Sequence, residues 1–289
     1  MAESINIDDP GYPEKLRKIK DPPQELFYKG DLDPKLFDNC LSIVGSRKVS
    51  MYGREVVGKL VPSLAGITIV SGFMYGVDSL AHLACIKSGG RTIAVMPCGI
   101  DYIYPEDQKD LYYSILECGG LVLSEYDGDQ KPQIWMYPRR NRIVAGLSQA
   151  TLVVEAGINS GSLITASSAK AYGRKLFAVP GNIFSENTQG IYQLIEEGAS
   201  MVTSPFDILD FYQFSSSDLS VPQRSSLFSS IEANGTLREA LLKILARESL
   251  TLDELVRELD MSFDRVSAEL TLMSLDGCIF QQEDRYYVA

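Results

Sequence analysis

Histidine is almost absent from this sequence, cysteine is sparse, and no long apolar run occurs. Of 289 residues one is histidine, His82, and five are cysteine. Asp78 precedes His82 by four residues and shares its helical face, a spacing that suits two metal ligands or an acid–base pair. No third ligand stands at a recognisable spacing, so the expectation is a structural Asp78–His82 hydrogen bond and no metal. Cys40, Cys85, Cys98, Cys118 and Cys278 are scattered, odd in number and never in a CxxC pair, which argues against a disulfide framework and a structural zinc site. They are expected to be reduced core residues. Neither GxGxxG nor GxxxxGK[ST] nor GxSxG is present, so dinucleotide binding, P-loop ATP hydrolysis and a nucleophile elbow have no support, and no cofactor is expected. No apolar run reaches membrane-spanning length, and the first residues lack the blocks of a signal peptide; the expectation is a cytoplasmic protein without a membrane partner.

Positive charge is also short. With 27 Lys and Arg against 38 Asp and Glu the net charge is −11, which taken alone argues against a nucleic-acid partner. The distribution modifies that argument. Residues 215–289 carry 7 cations against 13 anions, a net of −6, and residues 1–214 carry 20 against 25, a net of −5. In the larger part the cations cluster at Arg47 and Lys48, at Arg139 to Arg142, and from Lys170 to Lys175.

What is present is a regular alternation. Residues 1–40 are rich in Pro and charge and read as an irregular preface, with a short helix near Tyr12 to Ile19, packed on a sheet edge. From Cys40 onward the apolar runs LSIVGS, ITIVSG, TIAVMP, LVLSEY and LFAVPG alternate with helical patterns over Tyr52 to Leu64, Val77 to Lys87, Asp107 to Cys118 and Tyr192 to Glu197. That order means βαβ units and a parallel sheet over 41–214. Each strand ends in Gly, Ser or Pro, and open α/β sheets bind ligands outside those carboxyl ends. Residues 215–235 are Ser-rich and read as a linker. Residues 236–289 then show three helices and a hairpin, the order of a winged helix, with Thr251 and Glu254 spaced as a capping box.

The stretch PRRNRIVAGLSQATLVVEAGINSGSLIT, from Pro138 to Thr165, joins the features that carry chemistry. Arg139, Arg140 and Arg142 crowd around Asn141 at the start of an amphipathic helix. Thr151 to Glu155 reads as a central buried strand, and Ser160, Gly161 and Ser162 open a helix whose free backbone N–H groups suit a phosphate. At the end of IVGSR, Arg47 is placed to clamp a phosphate, with a surface salt bridge as its bland reading. Phe73 or Tyr75, in SGFMYGVDSLAH, can stack on a base; core packing is the bland reading for Phe73.

Together the blocks IVGSR, SGFMYGVDSLAH, MPCGIDYIYP, SEY, RRNRIVAGLS, VVEAGINSGSLITA and FAVPGN resemble the DNA-processing protein A (DprA/Smf) family, over residues 10 to about 210 plus the winged helix. The resemblance implies an extended Rossmann-type domain with a small C-terminal winged-helix domain. It also implies single-stranded DNA binding, a homodimer, and help in loading the recombinase RecA during natural transformation. Carried over by residue, it points to Arg47, Phe73, Arg139, Arg140, Asn141, Arg142 and Lys175 as DNA contacts and to Ser160, Gly161 and Ser162 as the phosphate-facing loop. The apolar Ile208, Leu209 and Phe211 are the expected dimer patch. The rival reading is an enzyme, because NSGSLIT is similar to the phosphate loop of the lonely-guy nucleotide phosphoribohydrolases. In that register Thr165 stands where those enzymes carry a catalytic glutamate, and only Glu125 and Glu155 lie near enough to substitute.

Overall fold

The computed structural model describes residues 2–214, 237–245, 249–259, 261–275, 278–282 and 284–288; the linker expected at 215–235 lies outside them. The chain forms two compact units, Met1–Leu219 and Ser220–Ala289.

The first unit begins differently from the expected preface. Strand β1 (Glu3–Asn6), the one-turn helix α1 (Glu14–Arg17) and strand β2 (Glu25–Gly30) come first, with β1 antiparallel to β2. The apolar runs then become parallel strands: β3 (Cys40–Val44), β4 (Thr68–Ser71), β5 (Thr92–Gly99), β6 (Leu121–Tyr126), β7 (Ala150–Val153), β8 (Lys175–Ala178) and the two-residue β9 (Ser200–Met201). The helices between them are α2 (Met51–Leu60), α3 (Val77–Lys87), α4 (Lys109–Glu117), α5 (Met136–Leu147), α6 (Gly161–Ala171) and α7 (Gln189–Glu196), and α8 (Phe206–Leu209) follows β9. Nine strands form one sheet in the order β1-β2-β6-β5-β4-β3-β7-β8-β9, where β2 joins β6 antiparallel and all later pairs are parallel. β7 is therefore internal rather than central, paired to β3 and β8.

Parallel strands covered on both faces are apolar throughout. In β3 all five residues are buried, and their side chains alternate in destination. Leu41 and Ile43 join Val57, Leu60, Val77 and Ala81 under α2 and α3. Val44 joins Ile143, Val144 and Leu147 of α5 on the other face, with Leu16 and Ile19. Ser42, on that same face, donates to Val144 O at 2.7 Å and bonds Ser148 Oγ at 2.8 Å, so a buried hydroxyl is satisfied where α5 crosses the strand. Ile208 and Leu209 are 0% and 2% exposed inside the α2/α3 core. Of the expected dimer patch the unit buries these two against its own sheet, and only Phe211, 40% exposed, is left at the surface.

The second unit contains the helices Leu237–Leu245, Leu252–Leu259 and Phe263–Leu275, and the strands Ile279–Gln282 and Arg285–Val288 pair as the expected hairpin. The short strand Leu250–Thr251 adds a third strand to it, paired to Arg285–Val288. The capping box is made reciprocally. Thr251 N–H donates to Glu254 Oε2 at 2.9 Å, and Glu254 N–H donates to Thr251 Oγ1 at 3.3 Å. Val266, Leu270 and Met273 enter the core of this unit, whereas Phe263, expected on the same face, is 51% exposed. Among the described residues no helix is long and apolar enough to cross a membrane. Cys40, Cys85 and Cys98 are buried, and Cys118 and Cys278 are half-buried.

Candidate nucleic-acid interface

The connections β3 to β4, β4 to β5 and β5 to β6 all step to one side of β3, and α5 then returns the chain to β7 on the other side. Between β3 and β7 the loops leave the sheet in opposite directions, which opens a crevice at the carboxyl ends. A cleft of about 820 Å³ lies there. The loop after β3 supplies Ser46, Arg47 and Lys48; α5 supplies Tyr137, Arg140 and Asn141; the start of α6 supplies Ser160, Gly161 and Ser162.

Each wall has a local cause. Ser50 caps α2, its Oγ accepting from Gly53 N–H at 3.1 Å, and Glu155 at the end of β7 accepts from Ser50 N–H at 2.9 Å and from the Ser50 hydroxyl. The loop that carries Arg47 is thus tied to the neighbouring strand. Ser160 caps α6, and its hydroxyl lies 2.7 Å from Ser162 Oγ. Asn141 joins α5 to that loop: its Nδ2 donates to Gly161 O at 3.2 Å while its Oδ1 accepts from Arg140 Nε at 3.1 Å.

The cations are sorted rather than pooled. Arg47 and Lys48 are exposed, and the Arg47 guanidinium sits 5.1 Å from the Tyr137 ring centre, a cation–π arrangement that holds the charge toward the cleft. Arg140 forms the floor, 4% exposed. Its Nη1 donates to Gly72 O and, at 2.5 Å, to Val95 O. That approach requires Gly72, since a Cβ there would lie 2.6 Å from Arg140 Cζ. Burial lowers the Arg140 pKa to about 10, which leaves it charged at neutral pH. Burial likewise raises the carboxyl of Asp78, another cleft residue, to about 6, with Arg140 pulling it down.

Four of the expected contacts lie outside this cleft. Arg142 is 7% exposed, and its Nη2 donates to Glu125 Oε1 at 2.5 Å while Nε lies 3.4 Å from Asp21 Oδ2, so it belongs to a buried ion pair rather than to the cleft surface. Arg139 is half-exposed and clamps the same Glu125 through two bonds of 3.1 Å. Phe73 is fully buried. Its φ of 54° turns the chain inward at the end of β4, and the ring packs edge-on to Tyr112 at 6.1 Å, so no face is open to a base. Lys175 is the first residue of β8, paired with Ala150 at the amino end of β7, and so sits at the opposite edge of the sheet from the cleft. The structure therefore brings Arg47, Arg140, Asn141, Ser160, Gly161 and Ser162 to one cleft and leaves Arg139, Arg142, Phe73 and Lys175 outside it.

The Asp78–His82 hydrogen bond is also corrected. His82 Nδ1 lies 2.7 Å from Thr92 Oγ1, whose own proton goes to Ile69 O at 2.6 Å, so the imidazole donates from Nδ1 and Nε2 is left without a partner. Glu125 and Glu155, the carboxylates able to replace a catalytic glutamate, are both engaged, one by two arginines and the other by the α2 cap. Sequence reasoning missed Tyr137 and Lys48 as cleft residues; the aromatic just before PRRN and the cation beside Arg47 were the available signals.

Comparison with known proteins shows the family of the fold. The sequence pattern of the DNA recombination-mediator protein A family matches residues 3–213, and that of the DprA winged helix domain matches residues 229–285. DNA processing protein DprA of Streptococcus pneumoniae is 43% identical over 212 residues, 73% of this chain and 74% of that protein. Its X-ray structure superposes with a TM-score of 0.69 at 44% identity, covering 72% of this chain and 73% of the other. A structure of DNA processing protein A from Helicobacter pylori, described as giving insight into its single-stranded DNA binding mode, superposes with a TM-score of 0.65 at 30% identity, covering 74% of this chain and 96% of that one. With the α/β sheet, the winged helix and a family match over most of its length, the chain belongs to the DNA-processing protein A (DprA/Smf) family.

Proposed function

We propose that the protein binds single-stranded DNA in the cleft between β3 and β7, covers incoming strands during natural transformation, and helps to load RecA onto them as a homodimer in the cytoplasm. The observation that carries the binding reading is one cleft at the switch point that combines an exposed Arg47 braced on Tyr137, a buried cationic floor at Arg140, and the open start of α6. This combination suits a strand whose phosphates meet cations and N–H groups. The H. pylori relative, for which single-stranded binding is described, supports it. The RecA and homodimer roles rest on the family resemblance. An electrophoretic titration with single-stranded and duplex oligonucleotides, run beside a nucleotide-hydrolysis assay, tests the reading. Preference for the single strand without hydrolysis is expected; hydrolysis, or equal affinity for duplex, overturns it. The phosphoribohydrolase reading is not favoured, because Thr165 supplies no carboxylate and the nearby glutamates are engaged.

A further inference from the structure

The turn between β8 and α7 contributes Asn187 to the cleft and carries two apolar side chains that nothing in the binding reading uses. Phe184 is 88% exposed and Ile183 68%, and among the described residues no ring packs against Phe184. An apolar pair this bare usually sits on a loose loop, but this one is fixed from several sides. Asn182 Oδ1 accepts from Phe184 N–H at 2.8 Å, and the Thr188 hydroxyl donates to Asn182 O at 2.5 Å and lies 2.8 Å from Ser185 O. Asn187, a cleft residue, donates to Lys48 O at 3.1 Å, and Tyr52 donates to Pro180 O at 2.6 Å. The turn is thus locked to the Arg47 loop and to the first turn of α2.

We infer that Phe184, with Ile183 beside it, is a base-stacking platform for the nucleotides that leave the cleft on the β8 side, and that it sets the preference for single over double strands. This inference rests on the binding reading above. A duplex keeps its bases stacked inside and offers no face to an exposed ring, whereas an unpaired strand held by its phosphates at Arg47 turns bases toward apolar neighbours. Continuity with the cleft identifies the occupant, because the turn that bears Phe184 also places Asn187 in the cleft lining and holds it to Lys48 O. Preorganisation of the turn means that little order has to be imposed on binding.

The test compares Phe184→Ala, Phe184→Tyr and Arg47→Glu with the wild-type full chain on oligothymidylates of increasing length and on matched strands containing abasic sites. Phe184→Ala should weaken binding of long base-bearing strands by roughly ten- to a hundredfold. It should leave short strands and abasic strands unchanged, and it should not alter the salt slope, since no charge is removed. Phe184→Tyr, which keeps a ring, should restore affinity. Arg47→Glu should weaken all strands alike. If Arg47→Glu weakens binding and Phe184→Ala does not, the platform is refuted and the cleft stands; if neither acts, the binding reading itself fails. Equal loss on abasic strands, or a change of sedimentation mass in Phe184→Ala, would mark Phe184 as a protein contact and overturn the inference.

Discussion

Replacing Asp78 with Asn should change how the first unit responds to acid, because two buried groups of opposite habit lie one helical turn apart on α3. His82 is fully buried, and burial first and Arg140 second lower its pKa from 6.5 to about 3. Between those values the unfolded chain binds a proton that the folded one refuses, so His82 makes stability rise with pH by about 1.4 kcal/mol per unit. Asp78 is displaced the other way, from 3.8 to about 6. There the folded chain holds a proton that the unfolded chain has released, so stability falls with pH at about the same rate. In the wild type the two slopes cancel from about pH 4 to pH 6. Asp78→Asn leaves His82 alone, and over that window stability should climb by about 3 kcal/mol more than in the wild type. His82→Asn, which can still donate to Thr92, should show the mirror result. Carboxylates held low by partners, such as Asp33 beside Arg91, add the same background to all three proteins. Urea unfolding at a series of pH values measures this, followed through Trp135, the single tryptophan, which lies in this unit. Parallel stability curves for Asp78→Asn and wild type would refute the reasoning.

The sorting of the arginines sets further expected outcomes. Arg47→Glu should cost more than tenfold in single-strand affinity and flatten the salt dependence by roughly 0.7 in log–log slope for each phosphate no longer neutralised, read by titration at several salt concentrations. Arg142→Met should instead leave affinity unchanged and lower stability by about 2 kcal/mol, the scale of a buried charged hydrogen bond, read by urea unfolding. Gly72→Ala should push the Arg140 guanidinium off Gly72 O and Val95 O, with a loss of about 1–3 kcal/mol for the uncovered carbonyls and a weakened cleft, checked by melting and by titration. A chain ending at Phe214 should keep its single-strand affinity, because residues 215–289 carry a net charge of −6 and add no counterion release; a large drop in the same titration would give the winged helix a direct part in binding.

The parallel strands were legible because burial on both faces leaves mostly apolar runs such as CLSIV and LVLSEY, and two helix starts because Ser160 and Thr251 open them. β1 and β2 were not legible: ESIN and ELFYKG are short and half polar, and only the pairing of β2 to β6, and of β1 to β2, makes them strands. The burial of Arg140 depends on a missing Cβ at Gly72, 68 residues away, and Arg142 pairs with Glu125 across 17 residues; no local pattern signals either pairing. Phe73 escapes sequence reasoning because a loop aromatic after a strand looks the same whether its φ is negative or, as here, 54°. The true place of Lys175 was legible, since it precedes the run LFAVPG, and the start of a parallel strand points away from the ligand edge.

The two antiparallel strands of the preface also change what the sheet offers to other chains. Without them the row of N–H and C=O groups along β6, in the run LVLSEY, would be an apolar template for a second copy of the same strand, the arrangement from which aggregates grow. β2 occupies that row through Phe27 to Gly30, and β1 then ends the sheet with four residues, of which Glu3, Ser4 and Asn6 are exposed. At the far side β9 stops after two residues. Lateral growth is thus blunted at both ends of a nine-stranded sheet, so any contact between copies has to use surfaces other than the sheet's edges.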